Sequence, residues 1–275
     1  MASASKRIIP GFGLSFGLTL AYLGLIVIIP MSFIAIKSSG LGWSAFWDTV
    51  LDPRILAGYR VSFSSALIAA LINSVFGLIL AWALTRYRFP GRRVIDALIE
   101  LPFALPTAVA GIALTSLYSD KGWIGKELAV FGLKVAYTEL GIIVALTFIT
   151  IPFVVRSVQP VLEQLDGVYE EAGRILGASP GRIFLRIIFP EITPALLTGF
   201  GLAFARALGE YGSVIFIAGN MPFKTEIAPL LIMSKLEQFN YAEATAVALV
   251  MLVASFIIMF AINCIQARAA AFVKE

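Results

Sequence analysis

In a chain of 275 residues that is 59% hydrophobic and 14% charged, the side chains able to do chemistry are few. Arg206 and Glu210 stand four apart in an otherwise apolar stretch, so on a helix they share one face and can form an ion pair. A charge at the centre of a membrane helix costs about 2.5–3.5 kcal/mol on insertion scales, so both must face a bundle interior or a watery cavity. Two roles are open. The pair can pin its helix to neighbours as a buried ion pair. Alternatively, Arg206 is an electropositive feature on the path of an anion and Glu210 holds its orientation. Composition excludes much else. There is no histidine, which removes Ser-His-Asp triads and His-x-x-His zinc sites. Cys264 is the single cysteine and lies in an apolar stretch, so it forms neither an internal disulfide nor a Cys-x-x-Cys site. No G-x-x-x-x-G-K-[ST] string occurs, because Gly125-Lys126-Glu127 lacks the upstream glycine and the hydroxyl. The expectation is a chain with no catalytic site, metal site or bound cofactor of its own.

The elements that must position these residues are membrane helices. A mean hydropathy of +0.92 sets the chain apart from soluble domains, which run at roughly 45–50% apolar and about 25% charged. A bilayer core needs about 20 apolar residues per helix, with backbone polar groups satisfied inside the segment. Uncharged runs occur at Ile8–Ile36, Val61–Thr85, Leu101–Ser119, Leu140–Val155, Ile192–Ala205 and Ala244–Ala267. The fourth extends from Thr138 to Ser157, and the fifth continues through Arg206 and Glu210 to about Ile217. The prediction is an all-α integral membrane protein with six spans. The first run is too long for the 7–15-residue apolar core of a signal peptide, so it is read as a retained helix. The chain divides into 1–60 (tail, first helix and external loop), a 61–267 core and a 268–275 tail.

Orientation follows from basic residues in alternate loops. The side holding Arg86, Arg88, Arg92, Arg93, Arg156, Arg174, Arg182 and Arg186, with Lys6, Arg7, Arg268 and Lys274, outweighs the side holding Lys37, Arg54, Arg60, Lys121, Lys126, Lys134, Lys224 and Lys235. Both termini are therefore expected in the cytoplasm, and the net charge of +4 reflects loops rather than nucleic-acid binding. Trp43, Trp47 and Trp123 fall in the opposite loops, where an aromatic belt is expected.

Between the fourth and fifth spans, residues 159–190 are too polar to span and too patterned to be disordered. Val161, Leu162, Leu165, Val168, Tyr169, Ala172, Ile175 and Leu176 recur at helical spacing. Glu163, Asp166, Glu170 and Glu171 give an acidic opposite face, with Glu170 able to pair with Arg174. Gly167 can divide the segment. Gly177 reads as a helix stop, and Ser179-Pro180 opens a second short helix that runs to Pro190. Helices lying on anionic lipid are usually basic on the polar face; this one is acidic, which favours docking into a partner protein.

Glu171-Ala172-Gly173, then Gly177, then Ile187-Ile188-Phe189-Pro190 resembles the EAA loop of type I ABC importer permeases, with Gly173 in place of an alanine and Phe189 in place of a leucine. Strings Ala81–Gly91, Leu101–Gly111 and Arg206–Gly212 are similar to the oxyanion branch of that family, which takes sulfate, thiosulfate, molybdate and tungstate. Ile9-Pro10-Gly11-Phe12 and Val214–Asn220 are most similar to its sulfate/thiosulfate members. The resemblance implies a MetI-like permease fold with a cytoplasmic coupling helix. It implies as partners a separate ATPase dimer carrying ATP and Mg, a second homologous permease and a periplasmic sulfate/thiosulfate-binding protein. It assigns ATPase coupling to the loop holding Glu170, Glu171, Ala172, Arg174, Gly177, Ile187 and Pro190.

The remaining features have plainer readings. Pro102 and Pro106 beside Glu100 predict a kink in the third span, either a static bend or a hinge. Asn73 with Ser74, and the G-x-x-x-G of Gly13 and Gly17, read as packing features. Thr225 is expected to cap a short helix bearing Ile227, Leu230 and Leu231. A stand-alone secondary transporter would need mid-membrane groups for coupling ions and no partner knob. An intramembrane enzyme lacks the residues to catalyse with.

Overall fold

The computed structural model describes residues 12–165 and 167–274, with side chains to residue 269. Lys6, Arg7, the Ile9-Pro10-Gly11 string and Asp166 lie outside the described residues. Among the described residues every regular element is a helix. In chain order they are α1 (Phe12–Ser39), α2 (Trp43–Val50), α3 (Pro53–Arg86), α4 (Arg92–Ala104), α5 (Thr107–Tyr118) and α6 (Trp123–Val130). They continue with α7 (Glu139–Gln164), α8 (Val168–Ile175), α9 (Pro180–Leu208), α10 (Val214–Ile217), α11 (Ala228–Glu237) and α12 (Tyr241–Lys274). Five of them, α1, α3, α7, α9 and α12, are long and apolar enough to cross a bilayer, and α4 with α5 forms a sixth segment bent by 114°.

The core is built where α3, α7 and α9 meet, with α12 packed on α9. Small residues permit the approach. A Cβ on Gly77 of α3 would lie 2.9 Å from the Val154 side chain, and one on Gly199 of α9 would lie 2.8 Å from the Val154 Cα. Val154 of α7 is thus seated between two glycine notches, as small-residue packing requires where lipid supplies no hydrophobic drive. Asn73, fully buried on α3, donates through Nδ2 to the Thr147 carbonyl at 2.9 Å and to Thr150 Oγ1 at 2.8 Å on α7. The Asn73 packing role is met by this clamp. By contrast, α1 buries none of its apolar window, and Gly17 meets nothing within 4 Å. Gly17 of that G-x-x-x-G therefore packs on no other described part of the chain.

The third span differs from expectation. The helix begins at Arg92, so Pro102 sits near the end of α4 instead of in a first turn, and the chain breaks at Leu105-Pro106. Proline at 106 forces Leu105 into extended backbone (φ −85°, ψ 135°), which stops α4 outright. Its successor α5 has 12 residues, about 18 Å at 1.5 Å per residue, too short to cross a core of roughly 30 Å alone.

Capping also departs from the sequence reading. Asp52 caps α3 by accepting from the Arg54 and Ile55 amides at 2.8 and 3.3 Å. Thr225 caps nothing, because its Oγ1 accepts from the Met221 amide at 2.9 Å. The first amide of α11, that of Ala228, instead donates to Ser62 Oγ of α3 at 2.8 Å. A cap from another helix is invisible to local pattern.

Candidate functional site

At one end of the bundle, marked by Arg86, Arg88, Arg92 and Arg93, the 159–190 segment forms a folded knob. Helix α7 runs on to Gln164, and Gly167 serves as the N-cap residue of α8. The end of α8 is a Schellman motif: the Gly177 amide donates to the Arg174 carbonyl at 2.9 Å and the Ala178 amide to the Gly173 carbonyl at 3.0 Å. Gly177 takes φ +77°, the left-handed conformation that glycine occupies without a Cβ penalty. Pro180 then opens α9, which passes through a π-helical turn at Phe184–Ile188 and continues unbroken to Leu208. Pro190 is therefore in the first turn after that bulge and does not end a separate helix, since proline is tolerated where the preceding amide pattern is already interrupted. The knob is thus continuous with the fifth span.

Two faces of α8 do different things. Its inner face is closed by Gly173, where a Cβ would stand 3.0 Å from Ile183 Cγ1 and 3.5 Å from Ile187 Cδ1. The glycine that replaces alanine in the motif therefore makes room for the elbow partner. Outward, Ile175 and Leu176 are 86% and 87% exposed, flanked by exposed Val168, Tyr169 and Ala172. The apolar row is not one face, because α7 ends at Gln164, α8 starts a new helix at Val168, and Leu162 is buried in the bundle core.

Glu171 points outward, exposed, and belongs to no ion pair among the described residues. Glu170 turns inward. Its Oε1 lies 3.1 Å from Arg86 Nη2 at the end of α3, while Arg174 is at 3.9 Å. Arg86 also donates to the Leu165 carbonyl at 3.2 Å and stacks over Trp82, whose ring meets Phe184 edge-on. Arg86 was visible in the sequence only as part of a basic cluster. The tie to α3 needed the fold.

A second arginine works nearby. Arg156 on α7 donates to Asp96 Oδ1 at 2.8 Å and pairs with Glu100 Oε1 at 2.8 Å, holding α4 by two carboxylates one turn apart. The two prolines lie beyond that clamp, Pro102 buried in α4 and Pro106 at the N-cap of α5. On the other side of the break, α5 is held differently. A Cβ on Gly111 would stand 2.4 Å from the Ser213 carbonyl oxygen, and one on Gly212 would stand 2.3 Å from Thr107 Oγ1. The 101–111 and 206–212 strings are thereby brought into contact.

That contact is made by the residues that directly follow Glu210 of the Arg206–Glu210 pair. Helix α9 ends at Leu208, so Glu210 sits in a turn past the helix end and not mid-helix. Arg206 Nη1 donates to Glu210 Oε2 at 2.7 Å, while Glu210 Oε1 accepts from the Ser213 amide at 2.9 Å and its hydroxyl at 3.0 Å. Glu210 is 2% exposed and the Arg206 side chain 35%. A buried carboxylate with three donors is fully satisfied, and it nails the turn to the helix it follows. Ser213 was not singled out by sequence reasoning; an Asx-like Glu-x-x-Ser spacing was its only signal.

A bundle of long apolar helices that ties an exposed apolar knob to several of its spans is the architecture of a multi-pass membrane protein. A family model for the inner membrane component of binding-protein-dependent transport systems matches residues 73–274. The chain belongs to that family. It is 50% identical to the sulfate transport system permease protein CysT of Salmonella typhimurium, covering 98% of this chain and 97% of that one. The same-named protein of Synechocystis is 47% identical, with 90% and 87% covered. Among solved structures, a bacterial ABC transporter that imports alginate superposes with TM-score 0.76 at 15% identity, over 94% of this chain and 96% of that one. An inward-facing methionine ABC transporter gives 0.61 at 18% identity, over 78% and 95%. The chain is a multi-pass membrane permease of the ABC importer fold.

Proposed function

We propose that this chain is one permease subunit of an ATP-driven importer of sulfate and thiosulfate, with the arginine-rich end in the cytoplasm and both termini there. The observation that carries it is identity near one half along almost the whole length of relatives named as sulfate permeases. The partners are an ATPase dimer, which holds ATP and Mg, a second homologous permease and a periplasmic sulfate/thiosulfate-binding protein. This chain binds no cofactor.

The knob transmits the ATPase's motion. Ile175 and Leu176 are the apolar insert for a groove in the ATPase, and Glu171 is the charge that orients it. Because α9 is continuous with the elbow and Glu170 grips Arg86, a displaced knob moves the third, seventh and ninth helices together. Within the membrane, pairing to Glu210 keeps Arg206 from holding a dianion too tightly to release it. Pro102 and Pro106 form the hinge between an α4 arm tied to α7 and an α5 arm tied to the Gly209–Ser213 turn.

The test is uptake of radiolabelled sulfate against molybdate in a strain lacking the native system, complemented with this chain and its partners, beside co-purification of the ATPase. Sulfate uptake with a bound ATPase is expected. Molybdate uptake alone would reassign the substrate, and uptake without any ATPase would overturn the subunit assignment.

A further inference from the structure

Two cavities flank the start of α3 at the end of the bundle that carries Trp43, Trp47 and Trp123, the external end in the orientation proposed above. The first, about 470 Å³, is lined by Arg54 and Lys235 together with Asp48, Asp52 and Glu243. Its cations are spoken for. Arg54 makes a bidentate pair with Glu226 at 2.7 and 2.6 Å, and Lys235 pairs with Glu243.

The second, about 630 Å³, lies between the start of α3, the start of α7 and the segment 221–225. Arg60 and Lys224 line it, and Glu139 is its one carboxylate. Among the described residues neither cation forms an ion pair or a side-chain hydrogen bond, and Glu139 is engaged by Ser64 Oγ at 3.3 Å. Two cations against one anion leave the lining with a charge of +1. The walls are also backbone-strained: Tyr137 and Phe223, neither a glycine, hold φ values of +64° and +62°. Such residues cost energy and persist where the surroundings over-determine them, commonly at functional sites. Tyr137 is held by its amide donating to the Ile217 carbonyl at 2.7 Å.

We propose that the cavity between Arg60 and Lys224 is a reception vestibule for a small inorganic dianion of the sulfate class, entered on release from the binding protein. This rests on the sulfate reading above. The cavity is far larger than a bare sulfate ion, so the anion is received with part of its water and is held by field, not by a tight shell of donors. Clefts lined by one sign of charge concentrate counter-ions and speed their entry. A loosely held anion can also move on.

The test uses the assembled transporter in proteoliposomes, external face outward, in a Cys264→Ser background. Lys224→Cys, and separately Arg60→Cys, is reacted with an anionic and a cationic methanethiosulfonate reagent. The anionic reagent is expected to react roughly tenfold faster, at the low end of electrostatic focusing. Sulfate, but not chloride at equal ionic strength, should slow it, and adding Arg60→Gln to Lys224→Cys should remove the preference. In the Arg60→Gln, Lys224→Gln transporter, sulfate imported per ATP should fall about tenfold while the loaded binding protein still stimulates ATP hydrolysis. Equal reagent rates, no protection by sulfate, or an unchanged transport ratio would overturn the vestibule. Loss of stimulation by the binding protein would overturn it too, marking a protein-docking surface instead. A wild-type transporter that imports molybdate but not sulfate would fail the substrate reading alone, since the reagent preference reports the vestibule for either dianion.

Discussion

Helix α8 and the Gly209–Ser213 turn are alike on paper. Each is a short, glycine-containing piece at one end of the long helix α9, and each carries a glutamate paired with an arginine four residues away in sequence. In the molecule they are opposites. Glu210 is 2% exposed and has three donors, while the Glu170 side chain is 19% exposed and leans on a distant Arg86 more closely than on Arg174. Beside Glu210 the turn packs tightly on α5 at Gly212 and Ser213, whereas beside Glu170 two large aliphatic side chains stand almost bare. One region spends its polar groups inward to fix a shape, and the other keeps a surface open for something else. A charge pair at four-residue spacing does not by itself say which.

The largest effect should come from breaking the buried pair. Glu210→Ala leaves Arg206 uncompensated and orphans the Ser213 amide, and losing one partner of such a pair commonly costs about 3–5 kcal/mol. The yield of assembled complex in detergent should collapse. Arg206→Ala with Glu210→Ala removes both charges and should recover much of that yield, the non-additivity expected of residues in contact. If the double variant assembles but imports poorly, Arg206 also serves the anion. If it assembles no better than Glu210→Ala alone, the turn depends on the carboxylate's bonds to Ser213 and the ion pair is secondary.

How much of this was legible beforehand varies with the range of the interaction involved. The long helices were readable because span length is set by a bilayer thickness and needs only local composition. The elbow at Gly177 was readable because a helix stop is a local conformation, and the left-handed φ is there. Asn73 was readable as a packing residue because a buried amide in an apolar helix needs partners. What local pattern does not carry depends on distant parts of the chain. The 114° break follows from proline locally, but where α5 goes afterward is fixed by Gly111 meeting Ser213, about a hundred residues on. Apolar composition carries the predicted fifth span past Glu210, while the chain turns at Gly209 after α9. The Ser62 cap on α11 and the Arg86 grip on Glu170 are likewise contacts between elements that only the fold brings together.

A smaller effect sharpens the comparison from the α8 side. A Cβ at Gly177 would meet nothing within 4 Å, so space is no obstacle there. Its φ of +77° is the obstacle, and a non-glycine residue in that region costs roughly 1–2 kcal/mol. Gly177→Ala should therefore insert normally and show a modest loss of coupling, read as sulfate imported per ATP. Gly177→Trp adds a large side chain beside the docking tip and should release the ATPase from washed membranes. If Gly177→Ala and Gly177→Trp behave alike, the elbow matters only for its backbone and not for the surface it presents.

The change least felt by the fold should be among those most felt by the function. Glu171 is exposed and makes no ion pair in the described chain, so Glu171→Lys removes no contact that holds the permease together. Membrane insertion and thermal stability of the permease itself should stay as in the wild type. It does reverse the charge beside Ile175 and Leu176, and like charges brought together across an interface oppose docking where apolar contact alone would allow it. Sulfate uptake should therefore be abolished, with the ATPase either lost from the membrane or hydrolysing ATP without transport. Membrane fractionation beside an ATPase assay in vesicles separates those two forms of failure. Normal uptake by Glu171→Lys with its ATPase in place would mean that the apolar tip docks without an electrostatic guide. Then Ile175→Asp becomes the sharper probe, because it places a charge in the exposed apolar tip of α8 itself.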